Sequence, residues 1–301
     1  MYLHEDRELF IEAVESAAEA LNLKTAVVEK DYYVTMILKL LSEKLDNVVF
    51  KGGTSLSKGF HAISRFSEDI DITFTQHIGE ARRKKLKYNV MKVIGEEMGL
   101  CIGNWNDIES DKDYNYYLFE YEPIKGYVEN SLLPGVKVET ALSSYAFPTV
   151  KMEIDSYIRQ FLIRENKDLI TEYGLDLFPM RLQALERTYI DKIFALCDYF
   201  MEGKSKRYSR HLYDIYKLTP MIHIDDDFRF LVKEVREHRS KMKICPSAKD
   251  GVDIQALIHQ FCAEDFFKSD YNDITDYFVD DMVKYTDAIE TILELADKEI
   301  F

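Results

Sequence analysis

Residues 48–74 have the sequence VVFKGGTSLSKGFHAISRFSEDIDITF, and this stretch decides the fold of the chain. A short, mainly apolar run at 47–50, which overlaps its start, is typical of a buried strand. Two glycines follow and lead directly into 54–61, where the pattern predicts a helix with Gly53 or Thr54 as its N-cap. The alternation over 67–74 then predicts a second strand. The stretch is therefore a strand–turn–helix–strand unit, and its turn and second strand carry the polar residues.

The glycine turn of this unit suits a phosphate group. Its backbone N–H groups are not covered by side chains, and the positive end of the helix dipole lies next to them. Glycine lets the backbone approach a ligand closely and adopt unusual dihedral angles. The candidate phosphate ligands are Gly53, the hydroxyls of Thr54 and Ser55, and the ammonium of Lys58 one turn later. The spacing matches neither GxGxxG nor GxxxxGK[ST], which excludes a dinucleotide fingerprint and a Walker loop. A tight structural connection is the alternative interpretation.

The second strand carries a pair of aspartates. Period-two alternation puts Asp69 and Asp71 together on one face of the strand. The apolar side chains of the stretch, Ile70, Ile72 and Phe74, then share the other face. Neighbouring carboxylates repel each other unless a cation lies between them, and oxygen ligands combined with substrate phosphates suit Mg²⁺. The pattern predicts a site for magnesium and a nucleoside triphosphate, with a solvent-facing Asp-x-Asp as the alternative.

The string GGTSLSK followed by RFSEDID resembles the nucleotidyltransferase signature of the AbiEii toxin family. That family is the enzyme half of a bacterial abortive-infection toxin–antitoxin pair, and MenT-type toxins are related to it. The resemblance extends over about residues 23–218 and implies a DNA-polymerase-β-like nucleotidyltransferase fold. It implies that a turn at Gly53-Thr54 holds the triphosphate and that Asp69 and Asp71 hold Mg²⁺. Thr54 and Ser55 are both candidates for the hydroxyl of that turn.

A second stretch, GVKVE at 135–139, is similar to the Lys-x-Asp motif of the family, with Glu139 in place of Asp. Alternation puts Lys137 and Glu139 on one strand face. The resemblance implies that Glu139 is the third carboxylate, which completes the metal site or accepts the proton of the attacking hydroxyl. Glu153 and Asp155 compete for that role, and a surface ion pair is the alternative.

A third stretch spans two predicted helices, 186–201 and 209–218. Asp214 lies among apolar residues there, and a carboxylate in such a setting needs a partner. Arg210, four residues earlier, would supply one as a helical ion pair. The resemblance implies more, because the catalytic Lys and Asp of the family map onto Lys192 and Asp214. Lys192 would then contact the triphosphate as pyrophosphate leaves, and Asp214 would orient Lys192 or act on the acceptor.

The rest of the chain completes an α+β pattern. Before residue 160, helices are predicted over 6–21, 26–45 and 79–98, and further strands over 114–121, 135–142 and 150–154. Later helices are predicted over 186–201, 209–218, 228–241, 252–267 and 274–295. The short apolar–polar alternation at 180–183 is compatible with one more strand of the sheet. Together with the resemblance, this predicts a polymerase-β-like nucleotidyltransferase domain with a mixed sheet over residues 1–165. A mainly helical C-terminal domain, 166–301, is expected to contribute to the active site.

Composition limits the class of protein. The 301 residues include 39 Lys+Arg against 54 Asp+Glu, a formal net charge of -15, which argues against a long DNA-binding surface. The four cysteines include no CxxC pair, so neither a zinc site nor a disulfide framework is expected. No apolar run is long enough to span a bilayer, and the first residues do not resemble a secretory signal. We therefore expect a cytoplasmic protein without a membrane association.

The expected function is Mg²⁺-dependent transfer of a nucleoside monophosphate from a nucleoside triphosphate to an acceptor hydroxyl. The resemblance implies that the acceptor is RNA, at a tRNA 3′ end, and that a cognate antitoxin silences the enzyme. The net acidity disfavours RNA, so tRNA binding would fall to the basic cluster Lys204, Lys206, Arg207 and Arg210. The alternatives are a small-molecule or protein hydroxyl as the acceptor, and a nucleotide-binding regulatory module without turnover.

Overall fold

The computed structural model describes residues 1–65, 67–127, 133–142, 145–278 and 283–301, with the side chains of 274–278 outside the description. The chain divides into two compact units. The sheet unit comprises Met1–Phe60 and Ser67–Leu182, and the helical unit comprises His61–Phe66 and Gln183–Phe301. This division differs from the expected one after residue 165, because the strand that ends the first unit returns to the sheet.

The sheet unit is built on seven strands that run both parallel and antiparallel. In chain order they are β1 (Val48–Lys51), β2 (Ile70–Phe74), β3 (Cys101–Ile102), β4 (Tyr114–Glu120), β5 (Gly135–Ala141), β6 (Thr149–Ile154) and β7 (Phe178–Gln183). Their spatial order is β3-β4-β5-β2-β1-β7-β6. β2 is antiparallel to β1 and parallel to β5, and β7 is parallel to β1 through Phe50 and Leu182. The predicted mixed sheet and α+β class are confirmed.

Helices precede and follow the strands of this unit. They are α1 (Arg7–Leu21), α2 (Thr25–Lys44), α3 (Gly52–Lys58), α4 (Glu80–Lys85), α5 (Lys92–Glu97), α6 (Tyr157–Glu165) and α7 (Lys167–Glu172). A π-helical turn, Leu86–Met91, joins α4 to α5 where one helix was predicted. α3 begins before Thr54, at Gly52, and Lys51 is its N-cap. α6 and α7 have no counterpart among the predicted helices.

Alternation along the strands separates an apolar face of the sheet from a polar one. Ile70 and Ile72 of β2 and Val136 and Val138 of β5 are fully buried in the core. α2 contacts β5 and adds its own apolar side chains to that core. Because successive side chains point to opposite faces, Asp71, Lys137 and Glu139 share the other face of these strands.

The helical unit contains the second half of the predicted helices. They are α8 (Leu185–Met201), α9 (Arg210–Leu218), α10 (Asp226–Ser240), α11 (Ile254–Ala263), α12 (Lys268–Phe278) and α13 (Tyr285–Ala296). The helix predicted over 274–295 corresponds to the end of α12 and to α13, and its positions 279–282 lie outside the described residues. Among the helices in the described part of the chain, we find none with the length and apolarity to cross a membrane.

Candidate active site

The paired aspartates lie at the start of β2 and face a third carboxylate. Asp69 directly precedes the strand, and Asp71 is its second residue. In the parallel pairing of β2 with β5, the register partner of Asp71 is Glu139. On the other side, the register partner of Asp71 is Lys51 of β1, at the end of the strand that leads into the glycine turn. The pairing thus brings Asp71 beside Glu139 on one face of the sheet.

The glycine turn is in contact with this carboxylate. Gly52 has φ +78°, in the left-handed region that favours glycine. A Cβ atom built on Gly52 would overlap the carboxylate of Asp71, so the main chain approaches that side chain as closely as only glycine allows. The sequence motif pointed to Gly53 as the ligand-binding glycine. The structure adds Gly52, which a Gly-Gly pair alone does not single out.

The two candidate hydroxyls of the turn are both buried. Thr54 Oγ1 donates to the backbone carbonyl of Asp69 at 2.5 Å and lies 2.9 Å from Ser67 Oγ, whose hydroxyl can donate to it. Ser55 Oγ donates to the carbonyl of Gly52 at 2.9 Å. Thr54 therefore ties α3 to the segment that carries the aspartates, and Ser55 stabilises the first turn of α3. That either hydroxyl, or Gly53, binds phosphate stays a prediction.

Lys58 has a buried partner in this structure. Its ammonium lies 2.5 Å from Asp31 Oδ1 on α2, and the second carboxylate oxygen of Asp31 accepts from the Tyr157 backbone N–H at 3.0 Å. Both charged side chains are buried. The ion pair fixes the end of α3 against α2 and α6. A phosphate contact of Lys58 stays a prediction.

The electrostatics of the site are dominated by carboxylates. The pKa of Asp69 is raised to about 6, chiefly by burial and then by the neighbouring Glu68 carboxylate. Asp71 and Glu139 add smaller contributions in the same direction, while Lys137 opposes them. Lys137 itself forms an ion pair with Glu139. Burial and the three neighbouring carboxylates therefore outweigh Lys137 in their effect on the pKa of Asp69.

This donor set fits a hard divalent cation. The ligands are carboxylate oxygens, which Mg²⁺ prefers, and Asp69 lies in the field of Glu68, Asp71 and Glu139, which raise its pKa in addition to burial. In the described residues, no three His, Cys, Asp or Glu side chains are already arranged as a metal cage. The magnesium site stays a prediction, with Asp69 and Asp71 as the ligands that the sequence motif supplies.

The register also separates the competing third carboxylates. Glu139 is directly opposite Asp71. Glu153 lies on β6, which two strands, β1 and β7, separate from β2. Asp155 follows the same strand and pairs with Arg159 at 3.1 Å. The geometry of the sheet favours Glu139 as the third carboxylate.

Three consecutive charged residues on α2 support the site and were missed by sequence reasoning. Glu29, Lys30 and Asp31 are almost fully buried. Lys30 forms an ion pair with Glu68, next to Asp69, and also donates to the carbonyl of Leu133 at 3.0 Å. The available signal was the charged triplet itself, because an apolar helix rarely buries charges without specific partners.

The helical unit contains a second buried charge cluster. Asp214 is 0% exposed and accepts from Arg65 Nε at 2.6 Å and Arg65 Nη2 at 2.7 Å. Lys192 Nζ on α8 donates to Asp214 Oδ2 at 2.7 Å. Arg210, the partner expected from helical spacing, is exposed. The partners of Asp214 are therefore Arg65 and Lys192, because a bidentate guanidinium and an ammonium together satisfy both oxygens.

These partners control ionisation within the cluster. Burial alone would raise the pKa of Asp214, but Arg65 and Lys192 outweigh it and hold the pKa well below its usual range. Burial lowers the pKa of Lys192, and Asp214 opposes that shift. His211 Nδ1 lies 3.4 Å from Lys192 Nζ, and burial together with that ammonium lowers the pKa of His211. Asp214 is thus ionised at neutral pH, whereas His211 is neutral. The catalytic roles of Lys192 and Asp214 stay predictions.

The basic cluster considered for RNA lies in the connection between α8 and the start of α9. Its four side chains, Lys204, Lys206, Arg207 and Arg210, are exposed. Lys204 pairs with Glu202 at 2.7 Å. The cluster is therefore a solvated surface of the helical unit.

Comparison with known proteins adds the family. No curated protein matches the chain. A family model described as the nucleotidyl transferase AbiEii toxin of type IV toxin–antitoxin systems matches residues 37–297. The match contains the glycine turn, the paired aspartates, the β5 carboxylate and the buried Lys–Asp cluster. The chain therefore belongs to the AbiEii family of nucleotidyl transferase toxins of type IV toxin–antitoxin systems.

Proposed function

We propose that this nucleotidyltransferase uses Mg²⁺ and a nucleoside triphosphate to add a nucleoside monophosphate to the 3′ end of tRNA. The observation that carries the proposal is the contact of the Gly52 turn with Asp71, which in turn lies opposite Glu139. A phosphate-binding turn, two metal-binding carboxylates and a third carboxylate within one face of a sheet are the parts that phosphoryl transfer needs.

In the proposed reaction, the acceptor oxygen attacks the α-phosphorus of the triphosphate. The new O–P bond forms as the bond to the bridging oxygen breaks, and pyrophosphate leaves. Mg²⁺, held by Asp69 and Asp71, would supply neutralisation of the phosphate charge. Glu139 lies beside Asp71 on the next strand and would accept the proton of the acceptor hydroxyl, or complete the metal ligands.

We assign Lys192 and Asp214 to the departure of pyrophosphate, as the family resemblance implies. Lys192 would neutralise charge on the triphosphate, and Asp214 would orient it. The 2.7 Å contact between Lys192 Nζ and Asp214 Oδ2 supports the orienting role, because it holds the ammonium in one position. Arg65 would then hold Asp214 in place through its two hydrogen bonds.

The biological setting follows from the family. A type IV toxin works alongside an antitoxin, and we propose that a cognate antitoxin silences this chain in the cytoplasm, where its tRNA acceptor resides. Loss of usable tRNA 3′ ends would halt translation and account for toxicity, including abortive infection. The exposed basic cluster between α8 and α9 is the surface that we propose for the tRNA backbone.

The test is a transfer assay with each α-labelled nucleoside triphosphate, Mg²⁺ and bulk tRNA. We expect one triphosphate to label tRNA in the wild type, and the isosteric variant Asp71→Asn to lose the signal. Asp168→Asn is the matched control, because Asp168 is an exposed carboxylate on α7 of the same unit. Label on a small molecule or a protein would move the acceptor to that class, and transfer that survives in Asp71→Asn would contradict the proposed site.

A further inference from the structure

Two exposed tyrosines share the sheet face of the carboxylates. Along β4, Tyr114 and Tyr116 are 50% and 38% exposed. Tyr117 and Phe119 point to the core and are 3% and 0% exposed. The alternation of the strand therefore puts two aromatic rings in solvent on the polar face, where burial does not explain them.

The register of the sheet connects these rings to the candidate site. Tyr116 is the register partner of Glu139, and Glu139 is the register partner of Asp71. The three residues thus form one row across β4, β5 and β2. Adjacent strands lie about 4.8 Å apart, so the row from Asp71 to Tyr116 is about 10 Å long. A nucleotide whose reactive hydroxyl lies near Glu139 could extend its base over β4.

The surroundings of the rings are those of a nucleic-acid site. Lys137 Nζ lies 5.1 Å from the centroid of the Tyr116 ring. Tyr114 interacts with the Glu139 carboxylate through its hydroxyl. Aromatic rings beside a cation are the combination with which proteins bind unpaired nucleotides, the rings by stacking and the cation by contact with the backbone.

The charge of the protein adds a physical reason for stacking. The net charge of -15 opposes a phosphate backbone over most of the surface. Stacking of a base on an aromatic ring does not depend on that charge, because every base offers a π-face. An acidic nucleotidyltransferase can therefore bind the end of a nucleic acid through its bases.

We propose that Tyr114 and Tyr116 form a stacking platform for an unpaired base at the 3′ end of an RNA acceptor. The platform lies on the β5 side of the aspartates, next to Glu139, the carboxylate assigned to the acceptor hydroxyl. We therefore assign it to binding of the acceptor and not of the triphosphate. The inference rests on the proposed function and names the part of the acceptor that is recognised.

The first test measures binding without turnover. A short labelled single-stranded RNA ending in CCA is titrated with the Asp71→Asn protein, and fluorescence anisotropy gives the dissociation constant. Adding Tyr116→Ala or Tyr114→Ala is expected to weaken binding about 10-fold, and Tyr116→Phe to leave it within about twofold. Tyr88→Ala is the matched control, because Tyr88 is 52% exposed on the π-helical turn. Equal binding by Tyr116→Ala, Tyr114→Ala and the control, in proteins with unchanged melting temperature, would overturn the platform.

The second test separates the acceptor from the triphosphate in the otherwise wild-type enzyme. We expect Tyr116→Ala to raise KM for the RNA acceptor about 10-fold, with KM for the triphosphate unchanged and Tyr116→Phe restoring the acceptor KM. A rise confined to the KM of the triphosphate would overturn the assignment to the acceptor. If the wild type transferred no nucleotide at all, the proposed function would fail, while the binding titration would still decide on the platform.

Discussion

In the candidate site, the main chain at Gly52 lies against the carboxylate of Asp71. Gly52 combines a positive φ with a position where a Cβ atom would overlap the Asp71 carboxylate. Two physical requirements thus coincide at one residue, a backbone conformation and a close approach. They are separable by mutation, because Gly251 has the same φ of +78° with no atom of the described residues within 4 Å of its Cβ position.

We expect Gly52→Ala to abolish nucleotidyl transfer, because the added methyl group displaces Asp71. Gly251→Ala imposes the same backbone strain, about 1 kcal/mol, and is expected to keep full activity. Transfer assays and thermal unfolding of the two variants give the comparison. Equal activity of Gly52→Ala and Gly251→Ala would show that the contact with Asp71 does not matter.

Asp69 makes the metal-free protein sensitive to pH. Its folded pKa of about 6 lies above the unfolded value of 3.8, so the folded state binds this proton more tightly than the unfolded state does. The free energy of unfolding therefore falls as the pH rises from about 4 to about 6 and Asp69 becomes ionised. Asp69→Asn removes this cost and is expected to raise the free energy of unfolding above pH 6 by an amount on the order of 3 kcal/mol. The gain should vanish near pH 4. Denaturant unfolding with chelator at several pH values checks it, and a gain that is independent of pH would contradict the assignment.

Among the elements, α2 holds the site together through its charged triplet. Lys30 contacts Glu68 before the aspartates, and Asp31 contacts Lys58 at the end of α3. Both ion pairs join α2 to a segment that flanks the site. Because removing one partner of a buried pair leaves the other without compensation, each pair fixes the position of the segment it reaches.

A double-mutant cycle tests the first of these pairs. Lys30→Met is expected to cost about 1–3 kcal/mol of unfolding free energy. Glu68→Gln in the same molecule should recover part of that loss, since no unpaired carboxylate remains. Lys92→Met is the control, because Lys92 forms an exposed pair with Glu96 at 3.5 Å and should cost less than about 0.5 kcal/mol. Strict additivity of the Lys30 and Glu68 substitutions would contradict the coupling.

The helices α8 and α9 are joined by the charge cluster of the helical unit. Asp214→Asn leaves Arg65 and Lys192 buried without a carboxylate, and we expect a loss of about 3–5 kcal/mol. Since the folded pKa of Asp214 is depressed, its contribution is present above pH 4 and is lost as the pH falls below that value. Glu237→Gln, in an exposed pair with Lys241, should leave the stability close to that of the wild type. Thermal unfolding at pH 7 compares the two, and equal losses would refute the account of the cluster.

Across the whole molecule, the sequence predicts features that are fixed within one strand or helix better than features that depend on pairing between distant segments. The placement of Asp69 and Asp71 on one face follows from the two-residue period of a single strand. The choice of Glu139 over Glu153 depends on strand pairing across the sheet, which period alone does not determine. Local periodicity therefore predicts the aspartate pair, the family resemblance implies Glu139 as its neighbour, and the pairing of β2 with β5 places Glu139 beside Asp71.

Long-range partners were the least predictable part of the molecule. Helical spacing suggested Arg210 for Asp214, whereas the observed partner, Arg65, is 149 residues away in sequence. The burial of Lys30 and Asp31 was likewise not predicted. A helical pattern shows which positions are apolar, but it does not show which charged side chains form ion pairs with distant residues. Such pairs become visible only when distant segments meet.

We propose above all that Asp69 and Asp71 bind a divalent cation beside the Gly52 turn. Titration of the protein with Mn²⁺, with free ion followed by electron paramagnetic resonance, tests it most directly. We expect one site from which Mg²⁺ displaces Mn²⁺, with affinity retained in Asp168→Asn and reduced roughly 100-fold or more in Asp71→Asn. Mn²⁺ binding by folded Asp71→Asn protein with the affinity of the wild type would contradict the claim.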